Sequence, residues 1–317
     1  MTTKSTKPLT IWCLLDGKAG HENQQVGFAE AIQRRTPCEI HRVSLAGWDR
    51  GVWSLFRRDF SQFPSADPDL IFGAGHATHV PLGVLRRRFG GRTVVLMKPS
   101  LPLSCFDLCL IPDVHDLKRV PANTILTKGV LNRIVPSGNK DAAYGLVLVG
   151  GPSAHHKWSG ESIFRQATEV VRNEPDRNWK IVTSRRTPDA FCELVRKQLT
   201  EAQLVLPHDV DADWLPAELT RAATVWVSAD SVSMTYEALT SGAEVGVLEL
   251  ERFRSNRVTA CIDTLIDSGD VVYWSRWKKT RRLNERDARF CEAERCAAEL
   301  LARFTEGGKE HWRREAA

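Results

Sequence analysis

Short runs of β-branched and leucine residues alternate along the chain with amphipathic stretches of helical length. That alternation predicts parallel sheets in an α/β protein. In the first half the strand candidates are Thr10–Leu15, Glu39–Val43, Leu70–Phe72, Thr93–Met97 and Leu108–Ile111, each followed by turn residues and then by a helical pattern. In the second half they are Gly145–Val149, Trp179–Thr183, Gln203–Leu206, Thr224–Val227, Glu244–Leu248 and Val271–Tyr273. Between the two sets the segment Pro121–Ala143, rich in Gly, Pro, Asn and Ser, interrupts the rhythm and puts a boundary near Pro136–Asp141. The expected organisation is a first domain over 1–137, a second over 138–283, and a C-terminal helix and tail over 284–317 that is free to pack back on the first. An Ala, Glu and Arg-rich helix over Asn284–Phe304 closes the pattern, and Gly307-Gly308 ends it.

At 317 residues, 42% hydrophobic and 26% charged, the chain is globular and has apolar material for two cores. Eight cysteines are too few for a disulfide scaffold, and the pairs Cys105/Cys109 and Cys291/Cys296 lack zinc-knuckle spacing, so buried free thiols are expected. Only Leu9–Leu15 is apolar enough for a signal core before Asp16 ends it, and no run of about 18 apolar residues spans a bilayer. The expected location is cytoplasmic, or peripheral on the inner face of the membrane. Net charge is +5, of which residues 273–317 hold 12 basic and 8 acidic side chains. The runs Arg86-Arg87-Arg88 and Trp274–Arg282 have no binding module or stacking platform beside them, so no nucleic-acid partner is expected.

Open α/β sheets bind ligands beyond the carboxyl ends of their strands, so candidate chemistry is sought in the loops there. The first, DGKAGHENQQ, gathers Asp16, Gly17, Gly20, His21 and Glu22 ahead of a helix expected over Gln24–Gln33. Its glycines let a ligand approach the backbone, and Asp16 or His21 is the candidate base for a hydroxyl. The bland alternative makes Asp16 a turn cap and His21 a loop residue. The second, FGAGHATH, sets Gly73, Gly75 and His76 in a tight turn, with Thr78 as a helix cap. The third, GGPSAHHKWSGES, offers Gly150, Gly151 and Ser153 but no GK[ST] ending, and His155-His156 lacks a third metal ligand, so no metal is expected.

The fourth, VSADSVSMTYEALTSGAEVGVLEL, begins at Val227. There Ser228, Asp230, Ser231 and Ser233 supply hydroxyls and cap oxygens at the start of a helix ended by Gly242, an anion site. Glu237 lies six residues beyond Ser231, in reach of a sugar hydroxyl past bound phosphates, and Met234 lines an apolar slot or belongs to the core. Arg185 and Arg186, after the strand ending at Thr183, are candidates for a donor phosphate, with Arg185 taken as the binding residue and a solvated surface pair as the alternative. Finally, Gly47–Phe63 packs Trp48, Trp53, Leu55, Phe56, Phe60 and Phe63 among Arg50, Arg57 and Arg58, with Arg86, Arg87, Arg88 and Arg92 to extend the patch. That mixture suits an anionic membrane surface; aromatics packed beneath a long loop are the alternative.

DGKAGHENQ near the start, GGPSAHHKW at mid-chain and SADSVSMTYEALTSG before a strand together resemble the mitochondrial-fission Elm family and its bacterial relatives, over about residues 8–305. The resemblance implies a GT-B-like architecture, two facing Rossmann-like domains with the donor bound mainly by the second. It implies diphosphate and ribose binding by Ser231, Ser233 and Glu237, and assigns Gly150, Gly151 and Ser153 to the first loop of the second domain. Gly17–His21 is similar to the glycine-rich acceptor loop of lipid-directed GT-B enzymes. At Ser228–Ser231 the chain departs from the Gly-Gly pair that many of them carry. The function implied is metal-independent transfer of a sugar from a nucleotide-sugar co-substrate, with no other cofactor, to an acceptor of lipid-linked or cell-envelope type. The alternatives are a nucleotide-sugar epimerase and a non-catalytic scaffold or recruitment factor of the fission type, whose protein partners the sequence does not name.

Overall fold

A computed structural model describes residues 7–48, 60, 63–115, 117–254, 257–285 and 290–306. The chain divides into two compact units, Met1–Arg133 with Glu292–Ala317, and Ile134–Cys291.

The first unit runs β1 (Leu9–Leu15), α1 (Ala19–Gln33), β2 (Cys38–Ser44), β3 (Leu70–Ala74), α2 (His79–Phe89), β4 (Arg92–Leu96), β5 (Leu108–Pro112) and β6 (Thr124–Thr127). Its strands form one parallel sheet in the order β2-β1-β3-β4-β5-β6. β3 and β5 are buried at every position, because helices and loops cover both faces and the strands read as unbroken apolar runs. In β1 the side chains alternate: Ile11 and Cys13 enter the cluster beneath α1, while Trp12 and Leu14 enter the one on the opposite face.

The sequence missed β6, since TILT is only four residues long, begins and ends in threonine and is embedded in Gly- and Pro-rich chain. Helix α1 starts at Ala19, five residues earlier than the pattern suggested, so Gly20, His21 and Glu22 are helical. Of the expected aromatic patch, Trp53, Leu55, Phe56, Arg50, Arg57 and Arg58 lie outside the described residues. Of its described rings, Phe63 stacks on Trp12 and meets Trp48, Phe60 and Phe89, and Phe60 also meets Phe89.

The second unit runs β7 (Asp141–Val149), β8 (His156–Lys157), α3 (Gly160–Asn173), β9 (Asn178–Thr183), α4 (Asp189–Gln198), β10 (Ala202–Val205), α5 (Trp214–Arg221), β11 (Ala222–Ser228), α6 (Val232–Ser241), β12 (Glu244–Leu248), β13 (Glu251–Arg252), α7 (Arg257–Asp267), β14 (Val272–Tyr273) and α8 (Trp274–Thr280). The main sheet is again parallel, ordered β10-β9-β7-β11-β12-β14, and β8 pairs antiparallel with β13. β7 begins at Asp141, inside the stretch read from sequence as a connection. Gly242 ends α6 in the left-handed conformation, φ 85°, as its position implied. Among the described residues no helix is long and apolar enough to cross a membrane.

The last helix, α9 (Glu292–Glu306), belongs to the first unit and starts eight residues later than the pattern suggested. Ala293, Cys296, Ala297 and Leu300 enter the cluster around Phe28 and Ile32, while Glu294 pairs with Arg34 and Arg35. The exposed ion pairs contribute little, so the apolar stripe holds the helix. Leu300→Ala, at a site 1% exposed, is expected to destabilise the first unit by about 3 kcal/mol. Equilibrium denaturation of the full chain measures this, and a loss near zero would mean that α9 does not complete that core.

Candidate functional site

Each sheet reverses direction beside its first strand. In the first, the chain passes from β1 to β2 on one side and returns to β3 on the other; in the second, β7 has β9 and β11 as its neighbours. Helices leave such a pair on opposite faces, which opens a crevice over the two carboxyl ends. The loops singled out from sequence are those four loops.

In the first unit the loop after β1 meets the loop after β3. His21 Nδ1 lies 2.9 Å from Asp16 Oδ2, with the Asp16 side chain 3% and that of His21 17% exposed. A carboxylate partner makes Nδ1 the protonated nitrogen of the neutral ring, which leaves Nε2 as a base. Asp16 is itself oriented by the Lys18 amide, and Glu22 accepts from the Gly17 amide. Gly75 closes over the ring: at φ 79° it favours glycine, and a Cβ there would lie 2.3 Å from His21 Cε1. Asp16, His21 and Gly75 are thus brought together. His76 is exposed beside them, and Gly20 offers its carbonyl to Gln24 Nε2. Thr78 stands at the N-cap position of α2 but makes no side-chain capping bond, because its hydroxyl donates to the Gly75 carbonyl and ties the turn shut. Sequence reasoning missed Gln24, 8% exposed, which also reaches Met97 Sδ, and Met97 itself, held at φ 71° at the end of β4. A non-glycine residue there stores on the order of 1–3 kcal/mol of strain, and nothing in the local sequence announces it.

In the second unit the loops after β7 and β11 are joined by one carboxylate. Asp230, its side chain 1% exposed, accepts from Ser228 Oγ at 2.7 Å, the Gly151 amide at 2.9 Å and Arg186 at 2.9 Å. Ser228 Oγ in turn accepts from the Gly150 amide at 2.8 Å, and Arg186 also donates to the Gly151 and Pro152 carbonyls. A Cβ at Gly150 would come within 2.1 Å of Asp230 Oδ2, so only glycine permits this approach. The amides of Gly150 and Gly151 are therefore spent inside the protein, as are Ser228 and Asp230, which sequence had given to the ligand as hydroxyls and cap oxygens. Ser153 Oγ accepts from the His155 and His156 amides and shapes the same turn. Arg185 is exposed and outside this network; Arg186 is the arginine that enters it.

What remains for a ligand is the start of α6. No side-chain cap is made at Ser231, so the amides of Val232, Ser233 and Met234 begin the helix without intrahelical acceptors. Ser233 is exposed, and Glu237, half-buried, follows it by one turn on the same face. Met234 is half-buried.

His156, 3% exposed, packs next to this network with its Nδ1 unpartnered among the described residues. Burial holds its imidazole below the ordinary histidine value; Asp230 opposes this, and Arg252 and His155 reinforce it. A histidine kept neutral in the fold takes up its proton on unfolding. Stability from this group is then full above the unfolded pKa of about 6.5 and lost as pH falls below it. His156→Gln should flatten the fall in denaturation midpoint between neutral pH and about pH 5, and an unchanged slope would reject this source.

Residues 19–304 match the family model described as Mitochondrial fission ELM1. The uncharacterized protein RP120 of Rickettsia prowazekii (strain Madrid E) is 22% identical, covering 82% of this chain and 88% of its own. Among solved structures, the UDP-GlcNAc 2-epimerase from Neisseria meningitidis bound to UDP-GlcNAc superposes with a TM-score of 0.55 at 10% identity, covering 94% of this chain and 100% of that one. AviGT4, a glycosyltransferase involved in avilamycin A biosynthesis, gives a TM-score of 0.51 at 15% identity over 98% of both chains. At these identities the likeness is one of fold, an α/β architecture of the GT-B kind with two six-stranded parallel sheets. With the match running over 19–304 of 317 residues, the chain belongs to the mitochondrial fission ELM1 family.

Proposed function

We propose that this protein is a nucleotide-sugar enzyme, and specifically a glycosyltransferase that moves a sugar from a nucleotide-sugar donor to an acceptor hydroxyl. The observation that carries the reading is the uncapped start of α6 at the reversal point of the second sheet, followed one turn later by Glu237. Free amides and the positive end of a helix dipole stabilise a diphosphate and need no metal. Ser231 and Ser233 add hydroxyls to the phosphates, and Glu237 accepts from a ribose hydroxyl. The Gly150–Gly151 turn, with Ser153 and Arg186, acts as a fixed wall rather than a row of donors.

In the reaction, His21 Nε2 takes the proton of the acceptor hydroxyl, whose oxygen forms the new bond to the anomeric carbon. The bond from that carbon to the diphosphate breaks, and the electron pair leaves on the nucleoside diphosphate, where the start of α6 stabilises it. Asp16 holds the imidazole in the productive tautomer and stabilises it once protonated. Gly17, Gly20, Glu22, Gly75 and His76 shape the acceptor side. An epimerase is the second reading, favoured by the fold likeness to the Neisseria enzyme, whose ligand is UDP-GlcNAc.

A thermal-shift panel of UDP, GDP, ADP, CMP and dTDP sugars tests donor binding by mass action. One base class should raise Tm at millimolar concentration, and Glu237→Ala should weaken it about tenfold by removing one charged hydrogen bond. If no nucleotide sugar stabilises the wild type, the transferase and epimerase readings both fail. Epimerised product formed without an acceptor would favour the second reading.

His21→Ala should lower turnover by roughly two to four orders of magnitude with donor affinity unchanged. Asp16→Asn should lower it less. Full turnover in the double variant Asp16→Ala, His21→Ala would remove the first-unit loop from the chemistry.

A further inference from the structure

A cavity of about 740 Å³ opens on the first unit, on the face of the sheet that carries α2. Its size falls in the range of small-molecule sites, about 300–1,000 Å³. One wall is a single stripe of α2: Val80, Gly83, Val84 and Arg87 are spaced i, i+3, i+4, i+7, and Arg88 adjoins them. The other wall comes from the chain between β4 and β5, with Leu101, Cys105 and Phe106, and Phe60 borders it. Val80 is 52% and Leu101 41% exposed, so apolar surface on both walls meets solvent. None of the residues assigned to the Asp16–His21 site lines it.

Charge is confined to one end. Arg86 is paired with Asp107 at 2.8 Å, and Arg88 lies over the Phe60 and Phe89 rings at 6.0 and 5.2 Å. Among the described residues no carboxylate forms an ion pair with Arg87 or Arg88. A helix end carries about half a negative charge, which three arginines in one last turn exceed. Among the described residues that surplus cationic charge has no carboxylate partner, and Arg87 and Arg88 line the apolar groove. Along α2 the groove from Arg87 to Val80 runs about 10 Å, the reach of a medium-length alkyl chain.

We propose that this groove binds a single-chain anionic amphiphile, with the alkyl chain along Val80, Val84 and Leu101 and a phosphate or carboxylate head at Arg87 and Arg88. The site is separate from the proposed transfer chemistry and stands whether or not a nucleotide sugar binds the second unit. Gly83 is the position that controls it. A Cβ there meets no atom within 4 Å, so a larger side chain enters the groove without displacing the core.

The full-length chain carries its own reporter. Of its eight cysteines Cys105 alone is exposed, six are buried and Cys291 is half-buried. Alkylation of Cys105 by N-ethylmaleimide, followed by peptide mass spectrometry, is compared in dodecyl phosphate, dodecyl maltoside and dodecyltrimethylammonium, each below its micellar concentration. Dodecyl phosphate should slow Cys105 about tenfold and leave Cys291 unchanged, while the neutral and cationic chains protect far less. By calorimetry, Gly83→Phe and the pair Arg87→Glu, Arg88→Glu should each weaken dodecyl phosphate about tenfold or more, with both variants still folded by circular dichroism. Equal protection by all three amphiphiles, or wild-type affinity in Gly83→Phe, would overturn the proposal. Protection by anionic vesicles but not by monomeric dodecyl phosphate would also overturn it, in favour of a bilayer surface.

Discussion

Parallel pairing forces each sheet to choose where its strand order reverses, and the candidate site in each unit follows from that choice. A parallel strand needs a crossover, and right-handed crossovers on either side of β1 and of β7 send their helices to opposite faces. At those two places alone the carboxyl ends of neighbouring strands have no helix between them. Backbone there lacks ladder partners and must be satisfied by turns, side chains or a bound group. The Asp16–His21 pair and the uncapped α6 stand at these points because the topology leaves room nowhere else at the centre of a sheet.

The two reversal points are built from different chemistry. In the second, a carboxylate taken almost wholly out of water would cost several kcal/mol if unpaired, and Asp230 avoids this by gathering three donors from three segments. The arrangement fixes the Gly150–Gly151 turn at the expense of its two amides. In the first, Asp16 serves an imidazole and leaves that ring's second nitrogen uncommitted. One reversal point thus spends its carboxylate on fixing a turn, and the other spends it on orienting an imidazole.

Most of the fold was legible because the central strands are buried on both faces and cannot be confused with loops: Glu244–Leu248 was read to the residue. The losses have local causes. β6 is a four-residue edge strand with a threonine at each end, and α1 begins within a Gly- and His-containing stretch that meets Gly75 and Met97 in the fold. The candidate residues were visible as types in loops, but not their partners. Composition alone does not say that Ser228 and Asp230 bond inward while Ser233 faces out, since Ser and Asp suit a cap, a turn and a ligand equally well. Arg185 and Arg186 are likewise identical in sequence, and only the twist of the turn after β9 decides which guanidinium reaches Asp230.

The aromatic residues show the same limit from the other side. Trp48, Phe60 and Phe63 beside arginines read as an interfacial patch, yet these three rings join one cluster, in which Phe63 stacks on Trp12, Trp48 meets Phe63 and Phe60 meets Phe89. Apolar surface that does face solvent includes one stripe of α2, where Val80 and Val84 share a face with glycine rather than with another aromatic residue. A filled stripe would have been core; the missing side chain at Gly83 is what turns it into a groove. An apolar wall left open next to cationic charge forgoes hydrophobic burial that a single larger residue at Gly83 would recover.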